Sequence, residues 1–318
     1  MNPYSGVGFF QFFAVLAQRI WLFTTGQLAS GQLATDEVQL AVLSCCAIAC
    51  GLIGPFLVLK KMSMFANSLS HTSLLGIVGA YLIVSNIWGD GWTDLTTLLI
   101  GAVFAALLTA GFTEGLARLF RLQEDASIGL VFTSLFAAGV ILVSLFTRNT
   151  HLSTEAVTGN CDALQLSDLR LSSLIAFANT AVVAIFYRRL QILAFDEPFF
   201  RVSGFSAFLW RSALFLLTAF TCIGSFRAIG VLVVLALLVG PFVTVRLICH
   251  KLQWLLVWTP LFGTAICMAG VALSRAFLTA TGIALSTGGF IAFTTALAFL
   301  LIALGKSACA RIYCIRSS

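Results

Sequence analysis

The sequence predicts an all-α fold, a polytopic membrane helical bundle with about nine transmembrane helices (eight to ten). Three observations predict it. The chain is 60% hydrophobic and only 9% charged, with a mean hydropathy of +1.04. A soluble domain devotes about a quarter of its residues to charge, so this chain cannot cover a globule with polar surface and needs lipid as its solvent. Nine apolar stretches reach or approach the roughly 20 residues of a spanning helix. Lysine and arginine gather at alternate ends of those stretches, as basic residues do on the cytoplasmic side of a membrane. With five prolines and no Ser/Gly-rich linker, the chain reads as one membrane domain.

Residues 1–37 read as an N-terminal interfacial segment. "GFFQFFAVLAQRIWLFTTGQL" lacks the basic start of a signal peptide and is interrupted by Arg19. Its aromatics and arginine suit a helix lying in the membrane interface, with a short extra span as the alternative. The membrane domain, 38–304, holds the nine stretches: Val38–Leu59, Ser73–Trp88, Leu95–Leu116, Ile128–Phe146, Leu171–Phe186, Ala207–Ile223, Ile229–Ile248, Leu255–Leu273 and Ile283–Leu304. The second and fifth are short, which permits tilted or re-entrant helices. Trp88 and Trp92 read as an interfacial anchor. Residues 305–318 form a cytoplasmic tail.

Orientation follows from charge. With Lys60 and Lys61 in the cytoplasm, alternation puts Arg118, Arg121, Arg188, Arg189, Arg201, Arg211, Arg246, Lys251, Lys306, Arg311 and Arg316 on the same side. Arg148, Arg170, Arg227 and Arg275 fall outside, with Asp36, Glu37, Asp90, Asp94, Glu155, Asp162 and Asp168. The net charge of +6 is therefore a membrane signature. No aromatic–basic interleaving or zinc-finger spacing supports nucleic acid as a partner.

Two polar loops are long. Thr147–Arg170 lies outside. Tyr187–Ser206 lies inside and reads "YRRLQILAFDEPFFRVSGFS". In it Asp196 suits an N-cap, with Glu197 and Pro198 in the first turn and Gly204 as a stop. The pattern predicts a short amphipathic helix near 196–205 that presents Phe199 and Phe200 to water beside Arg201. Exposed aromatics on such a helix indicate a docking partner.

Chemistry-bearing groups are few. Glu114 and Arg118, four apart on a helix, can pair on one face. No ladder of intramembrane carboxylates, Gly-Lys-Ser/Thr phosphate loop, serine elbow or His-Glu zinc-hydrolase motif is found. ATP hydrolysis or bond cleavage by this chain is thus not expected. The cysteines of the apolar runs, Cys45, Cys46, Cys50, Cys222 and Cys267, read as small hydrophobes, and Cys161 has no obvious disulfide partner. That leaves Asn67 and His71, whose spacing puts both on one helix face. Imidazole suits zinc, manganese or iron, and an Asn carbonyl is a weaker hard ligand. Ser68, Ser70 and Thr72 add polarity. The same spacing suits a helix-start histidine satisfied by backbone, and the residues alone leave both readings open.

"GLIGPFLVLKKMSMFANSLSHTSLLGIVGAYL" resembles the membrane permease subunit of the manganese/zinc/iron ABC importers. Four further blocks are similar to that family in the same order: "EDASIGLVFTSLFAAGVIL", "LAFDEPFFRVSGF", "AIGVLVVLALLVGPFVTVRLI" and "TGIALSTGGFIAF". The resemblance spans about Val38 to Leu304. It implies an ABC importer permease in the inner (cytoplasmic) membrane, with a divalent metal ion (Mn, Zn or Fe) as substrate and no permanently bound cofactor. By resemblance, His71 lines the ion path. Asn67 stands where the family has Asp, keeping an oxygen ligand but losing its charge. The resemblance also implies a cytoplasmic ATP-binding subunit docking on the 196–205 helix, an extracytoplasmic metal-binding protein, and a second permease chain in a homo- or heterodimer. Alternatives are a permease for an iron chelate or cobalamin, a membrane enzyme acting on lipid, and a purely structural membrane subunit.

Overall fold

The computed structural model describes residues 3–4, 7–25, 34–88, 95–146 and 161–316. Asp90, Trp92, Asp94, Arg148 and Glu155, with most of the expected outer loop, lie outside them. The described residues form eleven α-helices and no strand. They are α1 (Phe9–Thr24), α2 (Thr35–Leu59), α3 (Ser63–Trp88), α4 (Leu95–Leu119), α5 (Glu124–Phe146), α6 (Leu166–Phe195), α7 (Glu197–Val202), α8 (Ala207–Ile229), α9 (Val231–Arg246), α10 (Leu252–Thr281) and α11 (Thr287–Arg316). Among them, eight are long and apolar enough to cross a membrane.

Three boundaries differ from the sequence reading. The second stretch, expected to begin at Ser73, begins at Ser63 and makes a continuous 26-residue helix. Its polar start is helical because the hydroxyls bond to their own helix: Ser70 donates to the Asn67 carbonyl at 2.7 Å and Ser73 to that of Ser70 at 2.8 Å. The fifth stretch extends into the 30-residue α6, whose length removes any need for re-entry. The stretch at Ile229–Ile248 yields the 16-residue α9. Gly230 adopts φ 82°, a conformation that favours glycine, and separates α8 from α9.

The chain forms two compact units. In the first, α2 and α10 run antiparallel. Leu43, Ala47 and Gly51 meet Cys267, Gly263 and Pro260 in turn. At the N-terminal end of α2, the buried Asp36 bonds to Arg275. In the same unit α9 lies parallel to α11. Gly288 faces Val233, Gly240 faces Thr295, and Lys306 reaches the Leu247 carbonyl at 2.7 Å. The short α9 thus keeps pace with a spanning helix over nearly its whole length.

The second unit is built on α3, which packs against α4, α5 and α8. Gly76 and Gly101 are the contact point of α3 and α4. A Cβ on either would strike the other's backbone. Small residues let helices approach this closely in lipid, where hydrophobic attraction between them is absent. One turn away, Thr109 donates to Thr72 at 3.0 Å. Gly101→Ala is therefore expected to force the pair apart at a cost of about 1–3 kcal/mol. Its melting temperature in mild detergent should fall. Gly111→Ala, where nothing lies within 4 Å, should melt like the parent chain.

Candidate functional site

The inner loop folds as its residues dictate. Asp196 caps α7, its side chain accepting from the Phe199 amide at 3.0 Å, with Pro198 in the first turn. The helix ends at Val202, and Gly204 follows at φ 83°. One expectation fails here. Phe199 is exposed, but Phe200 is fully buried, against Leu193, Ala207, Ile192 and Trp210. Two adjacent helical positions lie about 100° apart, so one phenylalanine anchors α7 while the other is presented. Asp196→Ala removes the cap and should cost about 1 kcal/mol, seen as roughly fivefold faster amide exchange across 197–202.

What the sequence did not show is where α7 is tied. Lys60 donates to Glu197 at 2.7 Å, and Arg201 donates to the same carboxylate at 2.6 Å. Lys60 stands at the α2–α3 turn. There the Met62 and Lys61 amides bond back to the Leu57 and Val58 carbonyls, with Lys61 at φ 59°. This is the double closure of a Schellman motif, made with lysine in place of glycine. Burial alone would raise the Glu197 carboxyl, but the Lys60 and Arg201 hydrogen bonds overcome it and hold it down at about 2. A depressed carboxylate stabilises the folded state above its ordinary value of 4.5 and loses that contribution as pH falls toward 2. The α7 anchorage should therefore survive mild acid. Amide exchange of 197–202 should be flat from pH 7 to 5, once corrected for intrinsic rate, and rise only below about 4.5.

From this turn α3 begins. Asn67 and His71 lie on it one turn apart, His71 eight residues past Ser63, or about 12 Å along the axis. Asn67 is half-buried and His71 exposed. The imidazole packs on α5, its centroid 5.3 Å from both Phe132 and Phe136. Ser68, Ser70 and Thr72 are buried, so these hydroxyls are not presented with the imidazole. Among the described residues no three His, Cys, Asp or Glu side chains gather to hold a metal. The pair thus offers an imidazole and an amide oxygen on an open face, a partial coordination shell.

Glu114 pairs with Arg118 at 3.2 Å, as the spacing predicts. It also receives Arg211 of α8 at 2.5 Å, across a sequence separation with no local signal. Of the acids expected in outer loops, Glu37 accepts from Arg19 and from the Tyr4 hydroxyl, Asp36 is held by Arg275, and Asp162 accepts from the Thr287 hydroxyl and from Gln39. They hold the chain together from positions that the sequence places outside. The seven cysteines whose side chains are described are free thiols. Cys161 is buried, which with the neighbouring Asp162 pushes its thiol up to about 12.

The model of the ABC 3 transport family matches residues 36–306. A Chlamydia muridarum protein named "Probable metal transport system membrane protein" is 36% identical over 91% of this chain and 90% of its own length. The Bacillus subtilis manganese transport system membrane protein MntD is 31% identical over 79% of this chain and 85% of its own. In structure, the chain resembles PsaBC from Streptococcus pneumoniae, solved in complex with Fab. The TM-score is 0.67 at 23% identity, covering 86% of this chain and 92% of the other.

Proposed function

The chain belongs to the ABC 3 transport family, and on that premise we propose that it is the membrane permease subunit of an ATP-driven importer of a divalent transition metal ion. Manganese, zinc and iron all suit the imidazole and oxygen ligands. The ATP-binding subunit docks in the cytoplasm on α7, through Phe199 and Arg201. A metal-binding protein delivers the ion from outside the inner membrane. A second permease chain completes the path.

The observation that carries the mechanism is the Lys60–Glu197 bond. It links α7 to the turn from which α3 carries Asn67 and His71. Movement of α7 by a closing ATP-binding subunit pulls on that turn and shifts the pair between access to one side and to the other. An imidazole exposed on a spanning helix would be costly against lipid, which supports a setting away from lipid. The face bearing it is therefore the one turned to the aqueous path and to the second chain. Coordination by one imidazole and one neutral amide is weak, and weak binding lets a transported ion leave.

The test is reconstitution of the permease with its ATP-binding subunit and binding protein in liposomes. ATP-dependent uptake of radiolabelled manganese, zinc or iron supports the reading. Uptake confined to an iron chelate or cobalamin would replace it.

A further inference from the structure

Phe132 and Phe136 of α5 stand four residues apart, on one face of the helix. Each ring centroid lies 5.3 Å from the His71 imidazole, at interplanar angles of 52° for Phe132 and 68° for Phe136. The two phenyl rings are nearly parallel to each other, with 17° between their planes and 5.9 Å between their centroids. The imidazole is thus shared equally between two rings, at separations where tilted aromatic pairs attract. The backbones bring this about. A Cβ on Gly139 of α5 would lie 3.2 Å from the Leu75 amide nitrogen, so α3 and α5 approach closely there. About one turn earlier on each helix, His71 meets Phe136.

Packing alone does not ask for two rings. Leucine fills a helix interface in lipid as phenylalanine does. What a ring adds is a flat face against which another ring is held. Imidazole binds a cation through a nitrogen lone pair in its own plane, so whatever fixes that plane fixes the line along which the ion is held. Metal-binding histidines are commonly oriented by a hydrogen bond from their second nitrogen. Here two half-buried phenyl rings stand against an exposed imidazole, placed to hold its plane.

We propose that Phe132 and Phe136 are positioning residues of the ion path, which hold the His71 imidazole in the orientation that meets the ion. The inference rests on the reading of His71 as a path ligand and deepens it. The rings act through His71. They reduce the side-chain freedom that an ion would otherwise have to freeze on each passage. A ligand oriented in advance can be weak and still quick to engage.

Two measurements test this. The first is nuclear magnetic resonance of the full chain in mild detergent, labelled in the rings of its three histidines. The His71 signal, identified by its loss in His71→Ala, should be displaced from that of free imidazole by the two ring currents. It should move back in Phe132→Leu and in Phe136→Leu. Phe104→Leu, the same change at an exposed ring of α4, should leave it in place. The second is ATP-driven manganese uptake by the reconstituted transporter, with recovery of the intact complex checked by gel filtration. Each leucine variant should lose about threefold and the pair about tenfold, the scale of losses around a metal ligand. Phe132→Tyr/Phe136→Tyr keeps both rings and should stay within about twofold of the parent. Added to His71→Ala, the leucine pair should cause no further loss, because residues acting through one group are not additive. A packing defect would multiply the loss instead. An unmoved His71 signal, parent-like uptake by the leucine pair, a tyrosine pair no better than it, or a further loss on top of His71→Ala would each overturn the inference while leaving His71 on the path. Parent-like uptake by His71→Ala would overturn that reading and the inference together.

Discussion

His71→Ala is expected to lower ATP-driven uptake of the free metal ion by at least about tenfold, the scale on which losses around a metal ligand register. The folded complex should persist. The imidazole is exposed and, among the described residues, its ring contacts are Phe132 and Phe136, so its removal is expected to open no cavity. Stability should stay within about 0.5 kcal/mol. Two readouts are needed together: metal uptake in liposomes, and recovery of the intact complex by gel filtration. Normal uptake with an intact complex would remove His71 from the ion path. The companion change Asn67→Asp restores the charge that the family resemblance implies at that position. It should lower the ion concentration needed for half-maximal uptake while slowing the maximal rate, because a charged ligand holds the ion longer. A variant with both quantities unchanged would show that Asn67 does not touch the ion.

The helical bundle was legible in the sequence because lipid imposes it. With no water to satisfy backbone groups, an apolar run must be a helix, and its length and flanking charges say where it stops. The bounds of α7 were legible for a local reason: the Asp196 side chain, Pro198 and Gly204 act within a few residues of themselves. Three things were not legible, and each depends on residues far apart in the chain. Ser63 to Thr72 looked too polar for a helix entering the membrane, because nothing in the sequence says that Ser68 and Thr72 are buried in the unit or that Thr109 reaches Thr72. Lys60 read as a cytoplasmic charge and Glu197 as a first-turn residue of the docking helix, with nothing to join them. Asp36 looked like a loop acid until Arg275 was found beside it. Pairings across 37 to 239 residues leave no local pattern in one sequence.

Phe199 and Phe200 should separate cleanly under mutation, although they are neighbours of one type. Phe200→Ala empties the space between Leu193, Ala207, Ile192 and Trp210, where the ring is fully buried. It should cost about 3–5 kcal/mol, lowering the melting temperature and loosening α7 even without a partner. Phe199 is 56% exposed and Val202 87% exposed. Phe199→Ala should leave the melting temperature of the isolated chain near that of the parent. If α7 docks on the ATP-binding subunit, though, this ring is the anchor that fills the partner's pocket. A lost aromatic anchor costs about 2 kcal/mol or more, roughly a thirtyfold weaker association. Binding of the ATP-binding subunit and metal-stimulated ATP hydrolysis should fall together. Parent-like binding by Phe199→Ala would move the docking surface off α7. The Lys60–Glu197 bond would then have no load to transmit, and the path from ATP to His71 would have to enter the permease elsewhere.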